Sequence, residues 1–311
     1  MKALVIGVGG FVGPYLVDYL INEEKYEVLA TKLETEDYKI DGVKITNLNI
    51  LDKQSISNLL NEYRPEYIFH LAAQSSVALS WKKPNLTVNI NINGTINLLE
   101  AVKELDYKPT VLLVGSGEEY GMMQDESNIV NENHTLNPTN MYAVTKTCQN
   151  MIGKIYVNAY GMHIIMVRAF NHIGPRQITQ FVVSDFCKQV ADIEKGIKEP
   201  IVSVGNLSAM RDFTDVRDIV AAYSKLIKTD GWGETYNVGT GRVLSIQSIL
   251  DKIIDMSTVG IRVSVDPSKF RPIDVKVIQP DITKLKATID WKPKYSIDDT
   301  IKDVLNYWRN N

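Results

Sequence analysis

The sequence predicts an α/β protein built on a doubly wound parallel sheet, with a smaller α/β domain in its C-terminal part. Short apolar runs alternate with helical patterns from the first residues to about Arg168, and a glycine-rich segment follows the first run. Strands that alternate with helices build parallel sheets, because each crossover helix returns the chain to the same edge. After Arg168 the alternation weakens, and four prolines interrupt residues 262–311.

The individual elements follow from periodicity. Apolar or β-branched runs of four to seven residues are typical of buried strands, and apolar residues at helical spacing are typical of helices that cover a sheet. The first helix follows residue 10, and residues 172–210 are predicted as loop and helix. On these criteria the remaining elements are strands at 3–6, 26–30, 44–48, 67–71, 110–114, 163–167 and 235–238, and helices at 54–62, 86–104 and 142–160.

Composition excludes several classes of protein. The chain has 311 residues, a net charge of −3 and 44% hydrophobic residues, which is ordinary globular usage without a field that attracts nucleic acid or an anionic membrane. The two cysteines and four histidines have no spacing typical of a disulfide framework or a metal site. No signal peptide or membrane-length apolar run is present. We therefore expect a soluble cytoplasmic protein without a metal.

The glycine-rich segment at residues 7–13 indicates a dinucleotide site. Gly7 permits a tight turn, Gly10 lets the backbone approach a pyrophosphate, and Gly13 permits close packing of helix on strand. The helix N-terminus behind the segment attracts phosphates. The alternative is a purely structural turn. We predict a Rossmann-type, NAD(P)-binding domain whose cofactor contacts here are Gly7, Gly10, Phe11, Val12 and Gly13.

We place this domain at residues 1–170, with returning segments at about 211–240. Residues 171–210 and 241–311 are predicted to form a substrate-binding domain. At the end of the second strand, where an acid usually holds the adenosine ribose of NAD, the sequence reads Thr31-Lys32. Because Lys32 could meet a 2′-phosphate, NADP(H) is favoured. NAD(H) stays possible if Glu34 holds the ribose instead.

Tyr142 and Lys146 form a candidate acid/base pair. They lie four residues apart on a predicted helix and so share a face. A tyrosine hydroxyl titrates near ~10, and a neighbouring ammonium lowers that value. Ser116 ends a predicted strand, where ligands of such sheets gather, and Glu118 follows two residues later. The set indicates interconversion of a carbonyl and an alcohol, although Glu118 could instead be a solvent-facing loop carboxylate.

Further motifs resemble those of the extended short-chain dehydrogenase/reductase family over nearly the whole chain. They are His70-Leu71-Ala72-Ala73, Asn91-Ile92-Asn93-Gly94-Thr95, Arg211-Asp212-Phe213 and Asp290-Trp291-Lys292-Pro293. Within this family the GDP-mannose branch is the most similar. The segments that carry this resemblance are Ser116-Gly117-Glu118-Glu119-Tyr120-Gly121, Phe170-Asn171-His172, Phe181-Val182, Val204-Gly205-Asn206-Leu207 and Phe270-Arg271-Pro272-Ile273-Asp274.

The resemblance implies roles for individual residues. Ser116, Tyr142 and Lys146 match the catalytic residues of the family, and Glu118 matches the glutamate that serves as a base in its dehydratases. Asn49, standing where an aspartate near adenine is usual, and Ile50, Leu71, Ala72 and Ala73 match cofactor contacts. The residues that match substrate contacts are Ser75, Ser116, Asn171, Val182, Lys188, Asn206, Arg211, Arg271 and Asp274.

The branch contains a 4,6-dehydratase of GDP-mannose and the reductase of its product. Compact length, the absence of a basic pair at residues 181–186 and the sequence of residues 211–218 favour the reductase. The expected reaction is NAD(P)H-dependent reduction of the C4 keto group of a GDP-4-keto-6-deoxyhexose, with Tyr142 as proton donor and a GDP-rhamnose-type product. The dehydratase, a nucleotide-sugar 4-epimerase and a non-catalytic cofactor-binding protein are the alternatives. The family also implies a homodimer through a four-helix bundle of the helices at 86–104 and 142–160.

Overall fold

A computed structural model describes residues 1–122, 129–270 and 275–311. The strands of these ranges are β1 (Lys2–Ile6), β2 (Glu27–Lys32), β3 (Lys44–Asn47), β4 (Tyr67–His70), β5 (Thr110–Ser116), β6 (Ile129–Val130), β7 (Ile164–Ala169), β8 (Asn171–Ile173), β9 (Ile201–Val204), β10 (Met210–Asp215), β11 (Thr235–Val238), β12 (Val243–Ser245), β13 (Arg262–Val265) and β14 (Val277–Pro280).

Helices connect and cover these strands. A π-helical turn (Asn89–Asn93) joins two of them, so that the helix predicted at 86–104 is a nearly continuous run with one irregular turn. The helices of the described ranges are α1 (Val12–Asn22), α2 (Lys53–Tyr63), α3 (Val77–Lys82), α4 (Pro84–Val88), α5 (Gly94–Lys103), α6 (Met141–Tyr160), α7 (Val182–Glu194), α8 (Val216–Leu226), α9 (Ile246–Asp255), α10 (Thr283–Ile289) and α11 (Ile297–Arg309).

The main layer is a parallel sheet, which confirms the predicted fold class. Across the described ranges its strand order is β11-β7-β5-β4-β1-β2-β3, with every pairing parallel. The order reverses between β1 and β4, and a ligand crevice forms at such a reversal beyond the carboxyl ends of the strands. The predicted strands are found with shifted ends. The most consequential shift is that β5 continues to Ser116, which makes this residue the last of its strand.

Residues 172–210, predicted as loop and helix, also contain short strands. β8 and β10 pair in parallel, and β9 pairs with β13. Strands β8 and β9 were not predicted, because each is only three or four residues long and pairs with a strand about 40 to 60 residues further along the chain. In a second small sheet β10 also pairs with β12 and β14, and β14 pairs with β6.

The apolar residues form separate cores. Two large clusters cover the two faces of the main sheet. A further cluster joins α7, α9 and α11, so that residues 182–194, 246–255 and 297–309 share a core of their own. Ile282, Leu285 and Trp291 pack in the first core with α8, although they lie in the stretch assigned to the substrate domain. The exact domain boundaries therefore stay a prediction.

None of the described helices is long and apolar enough to cross a membrane. Within the same ranges no group of three or more His, Cys, Asp or Glu side chains is arranged to hold a metal ion. Both cysteines are free.

Candidate active site

The acid/base pair stands on the first turns of α6. The Asn140 side chain accepts a hydrogen bond from the Ala143 N–H at 2.8 Å and so fixes where the helix begins. Tyr142 therefore lies in the first turn and Lys146 one turn later. The Lys146 ammonium is buried and donates to the Val114 carbonyl oxygen at 2.7 Å and to the Gln149 side chain at 3.2 Å.

The pKa of each member of the pair is displaced from its ordinary value. Burial raises the pKa of Tyr142, a hydrogen bond with the Ser116 side chain lowers it, and the Glu118 and Glu119 charges raise it. Burial lowers the pKa of Lys146 to about 8, and the Glu119 charge opposes that shift. We expected Lys146 to lower the pKa of the tyrosine. Here the hydrogen bond with Ser116 does so instead, while the Lys146 ammonium donates to the backbone of β5.

Ser116 is the last residue of β5, and Glu118 lies in the 3₁₀ turn (Gly117–Glu119) that follows it. The Glu118 carboxylate accepts from the Asn140 side-chain amide at 3.2 Å, which links the turn to the start of α6. Glu118 also lines the same crevice as Asn171 and Arg211. The structure thus brings the Tyr142 phenol and the Ser116 hydroxyl together next to a turn whose Glu118 carboxylate lines a crevice, and these are groups that carbonyl chemistry uses.

Glu119 is a residue whose importance was missed from the sequence. Its side chain is fully buried and accepts from the Ser116 N–H at 2.8 Å, while the Ser116 hydroxyl accepts from the Glu118 N–H at 3.2 Å. This reciprocal arrangement is a capping box. The signal was available, because a serine followed three residues later by a glutamate is the signature of that motif.

The glycine-rich segment lies against the loop after β4. Gly7 has a φ of +94°, and a Cβ at this position would lie 2.7 Å from the Ala72 backbone. The N–H groups of Gly7 and Val8 donate to the Thr31 carbonyl oxygen at 3.1 and 2.8 Å. A Cβ on Gly10, by contrast, would meet nothing closer than 3.6 Å. The segment therefore leaves open backbone before α1, which fits a dinucleotide pyrophosphate.

The remaining predicted cofactor contacts lie on several elements. Phe11 stacks on His172 with ring centroids 6.0 Å apart, and Val12 begins α1. Leu71 and Ala73 follow β4, where the Asn91 side chain ties the backbone of Gln74 to α6. The other two predicted contacts differ in exposure. Asn49 is exposed in a turn, whereas Ile50 is buried against Gly94.

At the end of β2, two side chains of opposite charge lie at the edge of the cofactor crevice. The Lys32 ammonium donates to the carbonyl oxygens of Leu33 and Glu36. The Glu36 carboxylate accepts from the Leu33 N–H at 3.0 Å and lies directly over Gly9, where a Cβ would be 2.4 Å from it. Glu34, the predicted alternative ribose ligand, is exposed.

Several predicted substrate residues lie apart from the crevice or have local partners. Lys188 is paired with Asp192 on α7, and the Asn206 side chain accepts from the N–H and hydroxyl groups of Ser208. Val182 begins α7, and Ser75 is exposed in the loop after β4. The predictions at Arg271 and Asp274 fall outside the described residues.

Comparison with known proteins identifies the group to which this site belongs. The model of a family described as GDP-mannose 4,6 dehydratase matches residues 4–304. The chain belongs to this family. The predicted resemblance and the prediction of an NAD(P)-dependent nucleotide-sugar enzyme are thereby confirmed.

Individual relatives of the family match at full length. The GDP-6-deoxy-D-mannose reductase of Pseudomonas aeruginosa is 29% identical over 309 residues, which are 99% of this chain and 97% of that protein. A structure of RMD from Pseudomonas aeruginosa complexed with NADPH gives a TM-score of 0.86 at 27% identity, covering 99% of both chains. A Thermus thermophilus UDP-glucose 4-epimerase in complex with NAD gives 0.89 at 27% identity, also with 99% coverage of both.

Proposed function

We propose that this protein reduces the C4 keto group of a GDP-4-keto-6-deoxyhexose to an alcohol of GDP-rhamnose type. The carrying observation is the hydrogen-bonded pair of Ser116 and Tyr142 at the carboxyl end of β5, where the following turn lines the crevice. The full-length similarity to a GDP-6-deoxy-D-mannose reductase supports a GDP-linked keto sugar as substrate.

In this proposal the residues of the chain handle the oxygen at C4. Ser116 orients the carbonyl oxygen, and Tyr142 donates its proton to the alkoxide as charge develops there. When the substrate oxygen takes the hydrogen bond of Ser116, the Lys146 ammonium one helical turn away is the positive charge that stabilises the phenolate left by proton transfer. A bound nicotinamide supplies the hydride. Asn171 and Arg211 line the crevice and hold the nucleotide-sugar.

We propose NADP(H) as the preferred cofactor. The Lys32 ammonium, held by two backbone carbonyl oxygens, supports this preference because it lies at the end of β2, where a 2′-phosphate is expected. The similarity to an NADPH-complexed structure supports it as well. Glu36 opposes it, since its carboxylate lies over Gly9.

The second candidate function is 4,6-dehydration, favoured by the carboxylate of Glu118 at the crevice. Product analysis separates the two. We expect the wild-type protein to oxidise NADPH in the presence of GDP-4-keto-6-deoxymannose and to leave GDP-mannose unchanged when no nicotinamide is added. Formation of a keto sugar from GDP-mannose would establish the dehydratase instead. In a reductase Glu118→Gln retains most activity, whereas a dehydratase loses its C5 base.

We also propose a homodimer that buries the outer faces of α4 and α6. Met151 and Ile155, one turn apart on α6, are 60% and 58% exposed, and Leu86 on α4 is 40% exposed. Apolar side chains grouped in this way indicate an interface. We expect sedimentation velocity to show a dimer for the wild type and a monomer for the double variant Met151→Glu/Ile155→Glu. Val259→Glu, an exposed site elsewhere, is the control, and a monomeric wild type contradicts the proposal.

A further inference from the structure

The carboxylate of Glu119 is buried behind the turn that carries Ser116. One carboxylate oxygen accepts from the Ser116 N–H at 2.8 Å, the Asn150 side-chain amide donates to both oxygens at 2.8 and 2.9 Å, and Arg168 donates at 2.9 Å to the other. A Cβ at position 115 would lie 2.3 Å from this carboxylate, so only the glycine present there admits it. A charge this deeply buried is stabilised only when such partners surround it.

The same carboxylate connects three strands of the main sheet. Arg168, on β7, also donates to the Tyr120 hydroxyl at 3.0 Å, and that hydroxyl donates to the Asn237 side chain on β11 at 2.7 Å. Tyr120 and Arg168 are both buried. The backbone of Ser116 is therefore held by a network that reaches from β5 across β7 to β11.

The charge of Glu119 also acts on the acid/base pair. Burial raises the pKa of Glu119, and the Arg168 charge and the hydrogen bonds from Ser116, Arg168 and Asn150 oppose that shift. All three partners of the carboxylate donate hydrogen bonds, which is the pattern that an ionised carboxylate requires. Asn150, which donates to Glu119, lies one turn after Lys146 on the same face of α6, and both hydrogen-bond partners of the Lys146 ammonium are neutral. Glu119 is the group whose charge raises the pKa of Lys146 against its burial. The other titratable groups near the pair are His70 on β4, Tyr223 on α8 and Glu118 in the turn.

We propose that Glu119 is a positioning residue of the reducing centre. Its carboxylate fixes the backbone of Ser116, so that the serine hydroxyl meets Tyr142, and its negative charge keeps Lys146 protonated. Both roles rest on the proposed carbonyl reduction. Glu119 itself contacts neither substrate nor cofactor in this scheme.

The substitution Glu119→Gln tests whether the negative charge of Glu119 keeps Lys146 protonated. The side chain keeps its size and one acceptor oxygen, while the charge that raises the pKa values of Lys146 and Tyr142 is lost. In this variant the Arg168 guanidinium has no negative partner, and its positive charge lowers the pKa values of Lys146 and Tyr142 further. Because reduction needs the ammonium and the phenol, we expect the alkaline limb of log kcat/KM to move to lower pH by about half a unit or more. The KM for the cofactor changes little.

Glu194→Gln is the matched control. Glu194 forms an ion pair with Arg309 at 2.7 Å between α7 and α11, away from the reducing centre. This variant loses a comparable carboxylate–guanidinium pair and some thermal stability, and we expect its pH profile to match that of the wild type. A merely structural Glu119 would give the same result as this control.

The double variant Glu119→Gln/Asn150→Asp transposes the carboxylate and the amide. The negative charge returns within hydrogen-bond distance of its original position, and the glutamine oxygen still accepts from Ser116. We expect the alkaline limb to return toward the wild-type pH. If this folded double variant keeps the displaced limb of the single variant, the assignment of the effect to charge is wrong.

Hydrogen–deuterium exchange tests the backbone role without substrate or turnover. We expect the Ser116 amide to exchange about fivefold faster in Glu119→Gln than in the wild type, because a charged acceptor is replaced by a neutral one. Unchanged exchange together with an unchanged pH profile overturns the inference. Failure of the wild-type protein to reduce the keto sugar would instead overturn the proposed function, and the exchange result would still decide whether Glu119 holds Ser116.

Discussion

The reducing centre and the end of β2, where Lys32 and Glu36 lie and which we call the adenosine edge, differ in how deeply their charged groups are buried. At the reducing centre Ser116, Glu119 and Lys146 are buried, and each has hydrogen-bond partners from another element. At the adenosine edge Lys32 and Glu36 are only partly buried and contact the loop that follows β2. Buried charges act strongly and exposed charges weakly, because water screens the latter. We therefore expect substitutions at the buried reducing centre to have large effects on turnover, and substitutions at Lys32 and Glu36 to have small effects on cofactor preference.

We expect the largest effect on activity from a substitution at the buried reducing centre. Tyr142→Phe removes the proton donor and should lower kcat by roughly 10²- to 10⁴-fold, while nucleotide-sugar binding persists. Steady-state kinetics and equilibrium binding of the substrate measure the two parts. Tyr156→Phe on the same helix, which loses a hydrogen bond to Glu100, is the control with near wild-type turnover. A Tyr142→Phe variant of near wild-type rate would mean that another group protonates the oxygen.

At the adenosine edge we expect smaller effects, and these concern cofactor preference. Lys32→Ala removes the cation proposed to meet the 2′-phosphate, and we expect the ratio of kcat/KM for NADPH to that for NADH to fall about fivefold. Lys39→Ala, an exposed lysine of the same loop, should leave the ratio unchanged. A wild-type protein that strongly prefers NADH would contradict the role of Lys32.

The smallest expected effect is at Glu36. Replacement by Gln removes a charge that repels a 2′-phosphate, so the same ratio should rise about twofold. The two variants are expected to change the NADPH-to-NADH ratio of kcat/KM in opposite directions. This distinguishes a charge effect from a general disturbance of the loop, which would shift the ratio in the same direction in both variants. If Glu36→Gln lowers the ratio, the carboxylate supports NADPH binding indirectly, by holding the loop.

Much of the fold could be predicted because its signals are local. The strand ends, the glycine-rich segment and the spacing of Tyr142 and Lys146 are patterns within a few residues, and parallel topology follows from their alternation. Short strands such as β8 and β9 could not be predicted, since their pairing depends on partners far along the chain. Ser116 was placed correctly at a strand end because β5 is long and apolar.

The sequence by itself determined the fold class, the family and the candidate acid/base pair, because these depend on residue type at fixed spacing. Only the tertiary structure decided how the charges are distributed. It put the Glu36 carboxylate over Gly9, 27 residues earlier in the chain. It also buried Glu119 against Arg168, 49 residues away, behind Ser116. Electrostatic interactions depend on distance and burial in space, and neither quantity is encoded in local spacing.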